Sequence, residues 1–497
     1  MDDGSDPVDD SDESLGEAER SALSEPLAPS AALDRALGRS WRDDRAWRLL
    51  TELTAIESRL GGSPGERRAA ERVAAAFEAA GVDDVRTEPF SMRAWERGRT
   101  EFAVLDGRQT DCSPSDDASH EASQTVPGPP VDERSFEAIA LPYSPAGDVE
   151  GPLVDVGHGT PAEIDDAGAE LQGAIAVAST TTPPGERFVH RLETFGHAVV
   201  AGADAFVFVN HVPGQLPPTG ALAFDREAAV PGVGVSAETG DWLIEYADTG
   251  RRARLRVDAS TRDGTSRNVV GTLGPDTNEE VVVCAHYDAH DVGEGALDNG
   301  CGIATVVAAA RILASVADDL GCRVRIAAVG CEEVGLQGAE ALADDLDLSS
   351  VRAVVNVDGA GRFRNLRAFS HGSAAIATLA DEVTDAWGQP VVHERDPHPF
   401  SDHWPFVRAG VPALQLHSEP PDGGDRGRGW GHTTADTRDK VDPRNLREHG
   451  MLTALLVRAL TLTDVSRLDV AGLRESLAEQ NYEPGMRAAE IWPDEWA

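Results

Sequence analysis

"AHYDAHDVGEGALDNG", residues 285–300, sets six ionisable side chains into one short span: His286, Asp288, His290, Asp291, Glu294 and Asp298. Acids and imidazoles at this density repel one another unless a cation sits among them. The run leading into it, "VVVCAH" (281–286), is continuously apolar up to the first histidine. Such a run, bounded by polar and glycine residues, reads as a buried strand of a parallel sheet. Behind it, residues 299–315 place Ile303, Val306, Val307, Ala310 and Leu313 on one helical stripe. A strand, a polar loop and an apolar helix in that order set the fold class.

The alternation continues from 266 to about 464, through strand candidates "RVRIAAVG" (323–330), "VRAVVNVD" (351–358), "LRAFS" (366–370) and "VPALQLH" (411–417). It predicts an α/β fold: a three-layer α/β/α arrangement around a mostly parallel, mixed central sheet. The first strand ends in His286 and Asp288, the next in Cys331-Glu332-Glu333, the next in Asp358. Ligands of open α/β sheets bind outside the carboxyl ends of strands, so His286, Asp298, Glu332, Glu333 and Asp358 should meet on one rim. One strand-end aspartate is commonly an Asx turn or a helix cap. Five such groups at corresponding ends argue for a site. Carboxylates and imidazoles without thiolates suit Zn, Mn or Co. A single catalytic zinc takes about three protein ligands. His286, Asp298, Glu333, Asp358 and a later histidine would serve two metals if one carboxylate bridges. Glu332 is then left as general base, close to a metal-bound water without binding the metal. The later histidine is His432 in "GWGHTTADTRDKVDP" or His403 in "FSDHWPF", and spacing alone does not choose.

The chain has 497 residues, 44 basic and 86 acidic, for a net charge of −42. That balance argues against nucleic-acid binding, which needs a basic footprint. Lys440 is the one lysine. Self-repulsion on this scale is relieved at molar salt, where the Debye length is about 3 Å, so a salt-rich (halophilic) cytoplasm is the expected setting. The acidic start has no apolar h-region, and no continuous apolar run reaches the ~18–20 residues of a membrane span, so neither secretion nor a membrane is expected. Five cysteines, with no C-x-x-C pair, imply neither a disulfide framework nor a zinc knuckle. Residues 1–35 read as an acidic disordered tail. A helical part follows over 36–107, where Ser63-Pro64-Gly65-Glu66 starts a helix that Gly81 stops. Residues 108–135 read as a linker, 136–262 as a β-rich module with few helices, 263–465 as the metal-bearing domain and 466–497 as a C-terminal tail without signal.

The order of motifs closely resembles the zinc-dependent exopeptidases that include aminopeptidase S, aminopeptidase Y and the glutamate carboxypeptidases. The matching residues are His286-Tyr287-Asp288, Gly295-Ala296-Leu297-Asp298-Asn299, Glu332-Glu333-Val334-Gly335-Leu336, Asn356-Val357-Asp358, Ser401-Asp402-His403 and His432-Thr433-Thr434-Ala435-Asp436-Thr437. "SRLGGSPGE" (58–66) resembles the family's opening segment, and the runs of 136–262 resemble the protease-associated (PA) domain often inserted there. The resemblance implies two Zn²⁺ ions, with Co²⁺ or Mn²⁺ compatible. One would take His286, Asp298 and Asp358, the other Asp298, Glu333 and His432, with Asp298 as bridge. Glu332 would be the general base and Asp288 would orient His286. A cis peptide is expected at Asp298–Asn299. His290, Asp291 and Glu294 receive no role and read as solvent-facing. Some aminopeptidases of the family carry an oxyanion-supporting tyrosine where this chain has Val411, which leaves that donor open, with His403 as a candidate. The activity implied is aminopeptidase action on peptide substrates. Arg426 and Arg428 would favour a carboxypeptidase or dipeptidase instead, by holding a terminal carboxylate, and a metal-free binding protein of the same fold is the remote alternative.

Overall fold

The computed structural model describes residues 30–105, 133–421 and 429–496. Most of the acidic tail, most of the linker, Cys112, Arg426 and Arg428 lie outside the described residues. Three helices come first: α1 (Ala31–Ser40), α2 (Arg45–Thr54) and α3 (Pro64–Ala80). The tail therefore stops short of residue 35, because Ser30 caps α1 by accepting the Leu33 amide. α3 forms as its ends predict. Ser63 accepts the Glu66 amide, Pro64 fills the first turn, and Gly81 closes the helix at φ 91°.

The rest of the "helical part" is corrected. It is a 22-residue strand, β1 (Asp83–Val104). Its alternating polar residues suit a ribbon exposed on one face, which a helical reading overlooks. The middle module contains β2 (Arg134–Phe136), β3 (Ile139–Ala140), β4 (Gly147–Asp155), β5 (Ile175–Ser179), β6 (Ala205–Val209) and β7 (Gly232–Val235). It also contains three helices, α4 (Pro161–Ala167), α5 (Arg191–Val200) and α6 (Ala237–Asp248). The expectation of few helices is thus corrected: β4 to β7 run parallel, and parallel neighbours need crossovers. The Thr160/Glu163 capping box marks one of them.

β8 (Arg252–Leu273) pairs antiparallel with β1 along almost its full length and runs unbroken past residue 262. The module's border therefore lies inside a strand. β2 likewise pairs with β1 and takes residues 134 and 135 out of the linker.

The metal-bearing domain continues with β9 (Glu280–His286), β10 (Arg323–Val329), β11 (Val351–Val357), β12 (Leu366–Phe369), β13 (Val391–Glu394) and β14 (Ala413–Ser418). Here the sheet order is β13-β12-β14-β11-β9-β10-β8, and on the far side of β8 the order goes on through β4-β5-β6-β7-β3. β14, β11, β9 and β10 are parallel, whereas β8 and β12 pair antiparallel to their neighbours β10 and β14. This is the mixed, mostly parallel sheet that the sequence predicts. Helices cover both faces. Val281, Val283 and Ala285 of β9 pack on the side of α3, α7 (Cys301–Ala314) and α11 (Pro443–Leu462). Val282 and Cys284 face α8 (Gln337–Asp345), α10 (Trp404–Val407) and the C-terminal helices α12 (Val470–Glu479) and α13 (Tyr482–Ala488). The remaining helix, α9 (Ala374–Trp387), joins the first of these cores. The C-terminal segment is thus no tail: Leu473, Leu477, Tyr482, Met486, Trp492 and Trp496 finish a core. The span Ala296–Ala314 is long and apolar enough to cross a membrane, yet 89% of it is buried inside the fold, as a central core helix should be.

Candidate metal centre

β9, β10 and β11 deliver their terminal residues to one rim. His286 ends β9 fully buried, Glu332 and Glu333 follow β10, and Asp358 follows β11. The structure brings the predicted residues together in two groups that share Asp298. His286 Nε2 lies 3.2 Å from Asp298 Oδ1 and 3.7 Å from Asp358 Oδ1. His432 Nε2 lies 2.9 Å from Asp298 Oδ2 and 3.2 Å from Glu333 Oε2. His432, and not His403, is the histidine of this rim.

His403 is corrected as an oxyanion donor. It is fully buried, its Nε2 meets the His398 carbonyl at 2.7 Å, and its Nδ1 faces the Asn356 amide at 3.3 Å. Val411 is also buried, in a core, and points no donor at the rim.

The loop after β9 overturns the solvent-facing reading of three residues. His290 is 4% exposed, with Nε2 2.9 Å from Glu333 Oε2. Asp291 pairs with Arg97 of β1 (Nε to Oδ2 2.8 Å), and Glu294 Oε2 accepts the Arg438 amide at 2.8 Å. The sequence pattern shows a polar loop. It does not show that β1 and the middle module roof that loop over.

Around these groups the motif letters acquire physical roles. Asp288 lies 3.4 Å behind His286 Nδ1 and accepts the amides of Glu332 (3.1 Å) and Glu333 (3.2 Å), so it fixes both the imidazole and the turn that carries the acids. Asn299 donates to the Val357 carbonyl and accepts the Gly302 and Gly359 amides, which pins α7 to the end of β11. The Asp298–Asn299 peptide is cis, as the resemblance implies. Asp436 accepts the Leu297 amide (2.7 Å) and the Asp298 amide (3.1 Å). Ser401 donates to Asp358 Oδ2 at 2.8 Å. Arg59, from "SRLGG", is 2% exposed and donates to the carbonyls of Leu53, Tyr287, Glu294 and Gly295, clamping the N-terminal helices to the loop. None of these backbone ties can be read from letters, although Asp436 and Asn299 stand inside the motifs.

His432 is held from outside its own domain. Its Nδ1 donates to the Thr219 carbonyl at 3.1 Å, and the Thr219 amide donates back to the His432 carbonyl at 2.8 Å. With its proton on Nδ1, the imidazole turns the Nε2 lone pair to the rim. The cleft above has a volume of about 1140 Å³ and takes its walls from three regions. The rim supplies Asp298, Glu332 and Asp358, the middle module supplies Arg187 and Phe188, and the C-terminal segment supplies Tyr482. Arg187 lies 4.1 Å over the Tyr482 ring and pairs with buried Glu193. Sequence reasoning misses these walls because they come from segments without a motif.

The electrostatics call for a cation. Desolvation, and then the carboxylates Asp402, Glu333 and Asp358, push Glu332 well above the usual carboxylate range, with only His286 opposing. Burial resists charging His286, but Glu332, Asp288, Asp298 and Asp358 outweigh it and raise its basicity. Both ring nitrogens of His286, both of His290, and Glu333 Oε1 are buried with no hydrogen-bond partner among the described residues. Buried polar atoms are normally satisfied. The set left over, imidazole nitrogens and carboxylate oxygens, is what a hard-to-borderline divalent ion binds. His286, Asp298 and Asp358 form one group able to hold an ion, and His290, Glu333 and His432 another.

Residues 268–457 match the family model of peptidase family M28, and residues 149–243 match that of the PA domain. The chain carries an M28 peptidase domain with an inserted PA domain. It is 27% identical over 325 residues to aminopeptidase YwaD of Bacillus subtilis, covering 62% of this chain and 67% of that protein. It is 29% identical over 309 residues to a probable leucine aminopeptidase 2 of Aspergillus fumigatus, covering 57% of this chain and 58% of that one. The chain thus spans little more than half of this fungal relative. The fold is shared with a Bacillus subtilis zinc aminopeptidase structure (TM-score 0.61, 23% identity, 83% of this chain and 93% of that one). It is also shared with an M28 peptidase precursor of Shewanella amazonensis (TM-score 0.69, 21% identity, 91% and 99%). Thr219, which reaches His432, lies inside the stretch that matches the PA domain.

Proposed function

We propose that the chain is a dinuclear zinc aminopeptidase that removes residues from the free amino end of peptides. The observation that carries this is that His286 and His432, one from each donor group, both reach Asp298, with imidazole nitrogens left unsatisfied beside it. Relatives named as aminopeptidases and as a zinc aminopeptidase support the class and the metal. His286 and Asp358 would hold one ion and Glu333 and His432 the other, with Asp298 within reach of both. Zinc bound there supplies Lewis acidity for a water and for the scissile carbonyl. Co²⁺ or Mn²⁺ suits the same donors.

Glu332 takes the proton of the attacking water on its carboxylate and returns it to the leaving amine. Its position favours this: it lines the cleft, and its neighbour Glu333 is turned into the rim. A general base of this kind contributes roughly 10²–10⁴-fold. Asp288 keeps His286 and the Glu332–Glu333 turn in register. Asp396 in the cleft wall would give the substrate ammonium its counter-charge, Glu394 beside it being paired with Arg367. The carboxypeptidase reading rests on Arg426 and Arg428 and finds no support in the names of the relatives.

One peptide set, blocked at either end and assayed in molar salt with zinc, tests the proposal. Loss of cleavage on acetylating the amine supports it. Loss on amidating the carboxylate instead overturns it in favour of a carboxypeptidase. We also propose a salt-rich cytoplasm as the working environment, from the net charge of −42. Turnover that falls monotonically as KCl rises to molar levels overturns that reading.

A further inference from the structure

We propose that His290 is a direct ligand of the second metal ion, completing a four-residue set with His432, Glu333 and the bridging Asp298. The inference rests on the dinuclear reading above and adds a donor that the family resemblance does not assign. His290 leaves β9 four residues after His286 and turns inward under the roof formed by Arg97 and Thr219. Its Nε2 stands 2.9 Å from Glu333 Oε2, and that same oxygen stands 3.2 Å from His432 Nε2. His432 Nε2 is in turn 2.9 Å from Asp298 Oδ2.

These spacings fit a shared ion. Two donors each about 2.0–2.1 Å from a tetrahedral zinc lie roughly 3.3 Å apart. The ligand atoms of His290, Glu333 and His432 all fall within 4.8 Å of one another. The two imidazoles meet edge to face, with centroids 4.3 Å apart at 71°, so they do not stack and both can turn an edge to a common point.

The competing account makes His290 an ordinary buried histidine that hydrogen-bonds Glu333 and only steadies it. The geometry disfavours that account. Close as His290 Nε2 and Glu333 Oε2 are, the contact lacks hydrogen-bond alignment, and neither ring nitrogen has a partner among the described residues. A buried donor or acceptor left unmade is costly, and a cation at the convergence point gives Nε2 the partner it lacks.

The consequence is that the two positions are unequal. An ion held by His286, Asp298 and Asp358 would have three protein ligands, one fewer than a closed tetrahedral site takes. The ion held by His290, Glu333, His432 and Asp298 has four, the number that closes a tetrahedral zinc site. The second ion should therefore outlast the first during chelation.

The test uses the full chain, loaded with zinc alone in high salt, as wild type, as His290→Ala and as His290→Gln. The second variant preserves bulk where alanine does not fold. Zinc content is measured against a competing chelator, and zinc-edge X-ray absorption counts imidazoles. Affinity alone does not decide, since losing a residue that merely steadies a ligand also costs about 10–100-fold. The expected result is three imidazoles per two zinc ions in wild type and two per two ions in a variant forced to full loading, with the second ion released at least tenfold more readily. Two zinc ions with an unchanged imidazole count in folded variants overturn the inference alone. Wild-type protein that binds no zinc overturns the dinuclear reading, and this inference with it.

Discussion

The chain contains two sets of parallel strands, and they end differently. In the PA domain, the ends of β5, β6 and β7 satisfy one another. Thr180 meets His211 Nδ1 at 2.7 Å, Asn210 donates to the Leu216 carbonyl and accepts the Val212 amide, and Ser236 caps α6. In the peptidase domain, the ends of β9 and β10 carry imidazole nitrogens and a carboxylate oxygen, of His286, His290 and Glu333, that have no hydrogen-bond partner among the described residues. Both sets obey the same rules of strand pairing and crossover. The first set satisfies its polar groups within the chain, whereas the second leaves several of its own without a protein partner among the described residues. A buried polar group without a partner is therefore a better pointer to function here than the fold that carries it.

The sharpest way to break this comparison is Glu332→Gln. Turnover should fall by roughly 10²–10⁴-fold while zinc content stays at the wild-type value. Retained turnover would remove Glu332 from its role. Chelation comes next. Stripping metal should abolish activity and lower the unfolding temperature, because it leaves Asp298, Glu333 and Asp358 to repel one another; calorimetry with and without added zinc measures this. An unfolding temperature indifferent to zinc would count against an ion in the rim.

Arg59→Met should destabilise by on the order of 3–5 kcal/mol, read from urea unfolding, since it strips a buried charge and leaves four carbonyls unpaired. A fourth prediction concerns acid. Burial holds His449 down at about 4, with Nδ1 accepting the Gly361 amide and Nε2 donating to the Arg364 carbonyl. The unfolded chain takes up that proton at the ordinary value near 6.5, so stability is whole above about 6.5 and is lost as pH falls toward 4, by roughly 3 kcal/mol. His449→Gln should flatten the stability profile in that window. The smallest effect belongs to the completed half. Thr180→Val should cost about 1 kcal/mol of stability and leave kcat unchanged. A loss of turnover there would mean that the PA strand ends are part of the site after all.

What could be read from the letters follows from this contrast. β9 was legible because burial on both faces demands an unbroken apolar run, and His286, Asp298, Glu332, Glu333, Asp358 and His432 because strand ends and motif order mark them. β1 was not legible as a strand, since a ribbon edge tolerates the charged and aromatic mixture of residues 83–104. α12 and α13 leave little trace in the sequence because their apolar residues are sparse and answer a core built from distant segments. The burial of His290 is hidden from the sequence for a related reason. Whether a loop faces water depends on what lies over it, and its cover comes from β1 and the PA domain, nearly 200 and 70 residues away in the sequence.

β1 and β8 have a consequence of their own. Each is 22 residues long, and together they form one ribbon of roughly 70 Å. One end is built into the peptidase sheet and the other into the PA sheet. The two domains therefore share a beam, not a joint. Widening the cleft has to wind or unwind that beam along its length, and the work is spread over many hydrogen bonds, with no single residue bearing it. The tie between Thr219 and His432 therefore joins two domains that this beam already holds in register.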